Sequence, residues 1–182
     1  MQMRPQLQLQ AIIKALKEDI IPALDQTNQL AMQSAQLAMG TLALIAQHLP
    51  LEFRYDCDEL GRLIAAAETL SAQMRGAERT QSARDGLAAA VRIGSDVLGR
   101  AQADPAEVLE AVRRLRSAAV QAVQAAHLDG SEGTWTSIAS TVLSLSKSQL
   151  LRDRSWLVMQ GWEPDPKSVP PIDDLLQAGG AV

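Results

Sequence analysis

Apolar side chains recur at spacings of three and four along almost the whole chain, the period of one face of an α-helix. Leu9, Ile12, Ile13, Leu16 and Ile20 mark a first helix over residues 6–21, which Pro22 is expected to stop or kink because it lacks an N–H and crowds the preceding turn. Turn chemistry in Asp25–Gln29 leads into a second helix starting at Thr27 or Asn28 and ending at His48, before Pro50. Asp56 with Glu59 three residues on reads as a capping box, with Tyr55 and Leu60 as a staple. A third helix follows, its inner face Leu60, Leu63, Ile64, Ala67, Leu70 and Met74. Residues 75–85 are nearly free of apolar side chains and read as a loop or an exposed helical extension. Leu87, Val91, Val97 and Leu98 mark a fourth helix, ending near Gly99.

Asp104, Pro105 and Glu107 supply cap, first-position proline and capping-box acid for a fifth helix. Its face is Val108, Val112, Leu115, Ala119, Ala122 and Ala126, and the loop residues 127–133 end it. A sixth begins near Thr134 and runs to about Gln160. Residues 162–171 hold four prolines (Pro164, Pro166, Pro170, Pro171) and predict an extended strap lying along the helices, held at Trp162. Residues 172–177 could add one helical turn, and the final AGGAV is expected to fray. The expected fold is therefore all-α, an antiparallel bundle of five to six helices with an extended Pro-rich C-terminal strap. Its expected division is a helical domain over 1–161 and a strap or tail over 162–182.

One stretch tests this picture. No charged side chain occurs from Gln26 to Leu51. Its most apolar part, Leu37–Ala46, is only about half the ~20 residues a membrane span needs. Gln26, Gln29, Gln33 and Gln36 precede it, and their amides are costly to place in hydrocarbon. A buried central helix, thinned by Ala31, Ala35, Ala38 and Gly40 so that neighbours wrap it, is the expectation, and no transmembrane segment is expected.

Composition agrees with helices: 47% of residues are hydrophobic but only 3% aromatic, with a single Phe and a single Tyr. The net charge is −4, and between Arg62 and Arg116 nine arginines are interspersed with seven acids. That is a mixed solvated surface and not a phosphate-binding stripe, so no nucleic acid is expected as partner. Cys57 is the one cysteine, which allows no internal disulfide; with no leader pattern at the N-terminus, a cytoplasmic location is expected.

Catalytic chemistry has little to stand on. His48 and His127 fall at predicted helix C-termini, where histidine meets the last carbonyls. Cys57 is flanked by Asp56, Asp58 and Glu59, which disfavour a thiolate. Those acids lack the spacing of a calcium loop, and no phosphate loop, dinucleotide fingerprint or nucleophile elbow occurs. No cofactor, metal or catalytic residue is assigned. Trp156 and Trp162, close to Arg152 and Arg154, are the candidate interaction residues, because interfaces concentrate Trp and Arg; the plainer alternative is that the tryptophans pin the sixth helix and the strap.

The segment from Arg4-Pro5 through EDIIPAL (18–24) to the second apolar helix resembles the N-terminal part of a family of small bacterial all-α proteins of unassigned function. These are often encoded beside acyl-CoA dehydrogenases and aminoglycoside-phosphotransferase-like kinases, so the resemblance implies a setting in acyl-CoA metabolism. It covers the first third of the chain and brings no catalytic residues; the Trp-containing C-terminal part departs from the family. The Ala- and Gln-rich helices are also similar to those of phasins, the coats of polyester granules, although the capped helices favour a fixed bundle. The expected function is a non-enzymatic binding or accessory protein with a protein partner, homo-oligomerisation remaining open. An acyl-ligand-binding protein or enzyme with a pocket between helices is the first alternative, and a lipid- or granule-surface coat is the second.

Overall fold

The computed structural model describes residues 4–100 and 102–177; the expected fraying of AGGAV lies outside them. The chain is all-α. Its helices are α1 (Pro5–Ala15), α2 (Ile21–Ala23), α3 (Gln29–His48), α4 (Glu52–Gln73), α5 (Glu78–Gly99), α6 (Pro105–Asp129), α7 (Thr134–Leu157) and α8 (Ile172–Gln177). A π-helical turn, Leu16–Ile20, joins α1 to α2, and 3-10 turns occur at Val158–Gln160 and Pro166–Ser168. No strand occurs among the described residues, only the isolated antiparallel bridge Gly76–Gly130.

By its contacts the chain forms two compact units. One compact unit takes in Met1–Glu52 and Trp156–Ser168, the other Phe53–Ser155 and Val169–Val182.

In the first unit Pro22 does not stop the helix. The chain widens into the π turn just ahead of it and continues to Ala23 before Leu24 turns extended. A π turn absorbs the missing donor by shifting the hydrogen-bond register. Asp25 then accepts bonds from the Thr27 N–H (2.9 Å) and the Thr27 hydroxyl (2.7 Å), and Asn28 caps α3 by accepting from the Ala31 N–H (3.1 Å). α1 and α2 pack along α3, as does the Val158–Gln160 turn. Gly161, at φ 73°, closes that turn in the left-handed region open to glycine.

The expectation that α3 is a buried central helix is overturned. Leu30 is 75% exposed and Leu37 73%, and no described residue of this unit is buried. One helical arm and one short turn cannot surround α3, so the apolar face that suggests burial stands open.

In the second unit the residues of α4, α5, α6 and α7 share one core. Leu60, Leu87, Val108, Leu115 and Ile138 are each at most 1% exposed. Here the expected start of α6 holds, since Asp104 and Glu107 form a reciprocal capping box with Pro105 in the first turn, but the helix runs on through His127–Asp129, which the sequence reads as loop. The expected start of α4 does not hold. It begins at Glu52, so Asp56 lies inside the helix and is not its N-cap. Glu52 supplies the first-turn acid that a helix dipole favours. Glu59 is instead buried and paired with Arg116 of α6.

Residues 75–77 form a short connection and 78–85 a largely exposed helical stretch, as the sequence allows, with Thr80 the one buried exception. α5 starts at Glu78 and Thr80 is 1% exposed. Its N-terminus is capped across space: Asp129, the last residue of α6, accepts from the Arg79 N–H (2.9 Å), the Thr80 N–H (2.9 Å) and the Thr80 hydroxyl. Gly76 is needed for this approach, since a Cβ there would lie 2.6 Å from Thr80 Oγ1 and 2.7 Å from the Asp129 carbonyl.

The bond from the Thr80 hydroxyl, foremost, holds the Asp129 carboxyl below its usual range. A depressed folded-state value stabilises the fold above the unfolded value near pH 4, and that contribution disappears as pH falls through the lower folded value. Asp129→Asn should therefore melt below wild type at pH 7, with the gap closing as the pH drops below about 4. Thermal melts followed by circular dichroism at pH 7, 5, 3 and 2 test this; a constant gap would refute the cap.

The C-terminal segment is fixed in this unit at Val169 and Leu176, 8% and 5% exposed. The Ser155 hydroxyl donates to the Pro170 carbonyl at 2.7 Å, and Arg54 pairs with Asp173 at 3.2 Å. Trp162 is 79% exposed, so it is not the anchor that the sequence suggests. Aliphatic side chains at and beyond the C-terminal end of the Pro-rich run, Val169 and Leu176, take that role.

Candidate functional site

The four residues singled out in the sequence do not act alike. Arg152 belongs to the second unit and is 1% exposed, so it is closed to any partner. Its guanidinium lies 4.1 Å over the Tyr55 ring. One terminal nitrogen, Nη2, is 3.1 Å from the Asp58 carboxylate and donates to the Tyr55 carbonyl at 3.1 Å, while Nη1 donates to Gln149 Oε1 at 2.9 Å. Asp58 is shared with Arg62, whose Nε donates to it at 2.8 Å. Arg62 also donates to Ser148 at 2.9 Å and to the Leu175 carbonyl at 2.8 Å, tying α4 to α7 and to α8.

Tyr55 donates its hydroxyl to Asp153 at 3.0 Å. Burial, foremost, pushes its phenol up to about 12, against the opposing pull of Arg152, and the hydrogen bond to Asp153 adds to the rise. The phenol therefore stays neutral at physiological pH. This cluster brings arginine, carboxylate and tyrosine together, and its groups are engaged with one another and bind the helices; only Arg62, with Ser148, also borders a groove of about 400 Å³ between α4 and α7. Asp58–Arg62 and Gln149–Asp153 are legible in the sequence as four-residue helical pairs; Tyr55 and Arg152 stand 97 positions apart.

Trp156, half-buried, belongs to the first unit, where its ring stacks on His48 at 4.0 Å between centroids. Burial lowers the His48 value, with a hydrogen bond to the Trp156 backbone pulling the other way. His48 closes the last turn of α3, the position expected of it. His127, in the last turn of α6, lies tilted against Trp135 at 5.1 Å. Cys57 is half-buried, and burial first, then Asp56, pushes its thiol up, away from nucleophilic reactivity. Among the described residues no group of three or more His, Cys, Asp or Glu is placed to hold a metal ion. Arg154 is exposed.

Trp162 opens on something else. With Met159 it forms one wall of a groove of about 470 Å³ whose other wall is α3 at Leu37, Gly40 and Leu44. Leu30 and Leu37 continue the same stripe of α3 toward its N-terminus, seven residues apart and about three-quarters exposed. Leu7, Ile12, Ile20 and Ile45 are each between 45% and 54% exposed in the same unit. Single exposed leucines are ordinary on protein surfaces; a run of them with an exposed Met and Trp is not. No described helix is long and apolar enough to cross a membrane.

Comparison with known proteins found no matching family model, no matching curated protein and no matching solved structure.

Proposed function

We propose that this protein is a non-enzymatic binding or accessory protein that works through the apolar surface of its first unit. The observation that carries the reading is the open stripe Leu30–Leu37 with its adjoining groove, in a unit that has no buried residue among those described. Leaving so much apolar surface in water is unfavourable by roughly 25 cal/mol per Å², and a covering partner recovers it. The second unit supplies a firm core and a closed polar cluster, which suits a scaffold.

An enzyme or acyl-ligand carrier would instead call for an apolar pocket with converging charged groups. The groove by Trp162 is apolar but lined by no charged residue, and the groove of about 400 Å³ that adjoins Arg62 is lined largely by serines, threonines and alanines, with Arg62 its one charged residue. A setting in acyl-CoA metabolism rests on the resemblance alone.

The test immobilises the full-length chain and its Leu30→Glu/Leu37→Glu variant side by side in extract of the source cell. Proteins held by the wild type and lost from the variant, at unchanged helical content, support the reading. Identical capture by both removes the proposed surface from consideration.

A further inference from the structure

Resting on that reading, we propose that the occupant of the open face is a second copy of this chain, the two α1–α3 hairpins packing against each other about a two-fold axis.

Charge comes first. Residues 4–51 carry three bases (Arg4, Lys14, Lys17) and three acids (Glu18, Asp19, Asp25), and none of the six lies between Gln26 and Leu51. The face has no net sign, so a second copy meets it without repulsion, whereas a strongly acidic or basic partner finds no complement. A lipid surface fits less well. Helices that lie on membranes carry Lys and Arg along the polar face, while α3 has neither; its polar residues before Leu37 are Gln29, Gln33, Ser34 and Gln36, of which Gln33 and Ser34 sit beside Leu30 and Leu37.

Pattern is the second argument. Leu30, Leu37 and Leu44 repeat every seven residues on α3, the spacing that keeps one seam facing a partner helix. Gly40 and Thr41 keep the backbone low between them; a Cβ at Gly40 would touch nothing within 4 Å in this chain. An isologous pair brings one such stripe against its own copy, which needs no second, differently shaped surface.

Area is the third. α3 has 20 residues, hence a length of about 30 Å at 1.5 Å per residue. Two helices side by side are roughly 20 Å wide, so the hairpin face projects to about 600 Å². The relief of its side chains brings the surface lost to solvent near ~800 Å² per copy, what a stable dimer of ordinary size buries. A two-helix hairpin without an interior thereby becomes half of a four-helix arrangement that has one.

Sedimentation velocity on the full-length protein, from about 1 to 50 μM, reads the outcome at typical affinities. The expected mass is twice the 19.6 kDa of one chain. Leu30→Glu/Leu37→Glu should weaken association at least about a hundredfold, because it buries unpaired carboxylates at the seam. Leu30→Lys/Leu37→Lys should do the same. An equimolar mixture of the two variants should return to double mass, which a general loss of folding would not produce.

Wild type sedimenting as a single chain throughout overturns the proposal, as does a Glu variant that stays double. Single-chain wild type that floats with neutral phosphatidylcholine vesicles overturns it in favour of a lipid surface. If wild type is single yet captures a protein through Leu30 and Leu37, the self-association fails while the binding function stands. If it is double and captures nothing, the reverse holds.

Discussion

Arg152→Met lowers the stability of the second unit by about 3 kcal/mol, the low end of the ~3–5 expected when one partner of a buried ion pair is removed. The Asp58 side chain is 5% exposed and would be left with a buried charge short of one counterion. Arg62, at 2.8 Å, remains and holds the loss to the low end. The cation–π contact over Tyr55 and the bonds to Gln149 and the Tyr55 carbonyl go as well. Methionine keeps the volume, so the effect measures polarity and not a cavity. Adding Asp58→Leu should return part of the stability, because the desolvated carboxylate then disappears with its partner. Urea denaturation followed by circular dichroism decides it. A loss for Arg152→Met below about 1 kcal/mol, the worth of a surface pair, would mean the cluster is not structural.

Leu60→Ala is the second large effect, at about 3–4 kcal/mol for a fully enclosed leucine. Its position makes a sharper test available. A Cβ on Gly94 would lie 3.0 Å from Leu115 Cδ1 and 3.3 Å from Leu60 Cδ1. In wild type, Gly94→Ala therefore overpacks the contact of α5 with α4 and α6 and should cost about 1–2 kcal/mol, offset in part by alanine's better helix propensity. Once Leu60 is alanine, Leu115 can give way into the vacated space, so the added methyl should cost less than it does in wild type. Across the double-mutant cycle, a combined loss smaller than the sum of the two single losses is the expected result. Additive losses would show that the Leu60 cavity collapses before Leu115 can move into it.

The helical content was legible because it depends on local chemistry. The Asp104–Pro105–Glu107 start of α6 and the Asn28 cap of α3 use atoms within three residues of each other, and both are where the sequence puts them. Local signatures misled where side chains had distant uses. Asp56 and Glu59 spell a capping box, yet α4 was already helical from Glu52 and Glu59 is spent on Arg116. The N-terminus of α5 showed no cap in sequence because its cap is Asp129, about fifty residues away. Of the candidate interaction residues, Trp162 kept an exposed position, whereas Arg152 went inside for Asp58 and Tyr55. A charged side chain carries no local mark of whether a counterion awaits it in the core.

The amino-acid sequence by itself determined that this protein is helical, which face of each helix is apolar, and where most helices begin and end. These follow from periodicity, propensity and hydrogen bonds spanning a single turn. Only the tertiary structure decided which of those apolar faces are covered. The stripes of α4 to α6 and Leu60, Leu115 and Ile138 close on one another, while α3, more apolar than any of them, keeps Leu30 and Leu37 in solvent. Apolarity states that a surface favours burial; the number of elements packed around it settles whether burial happens within one chain.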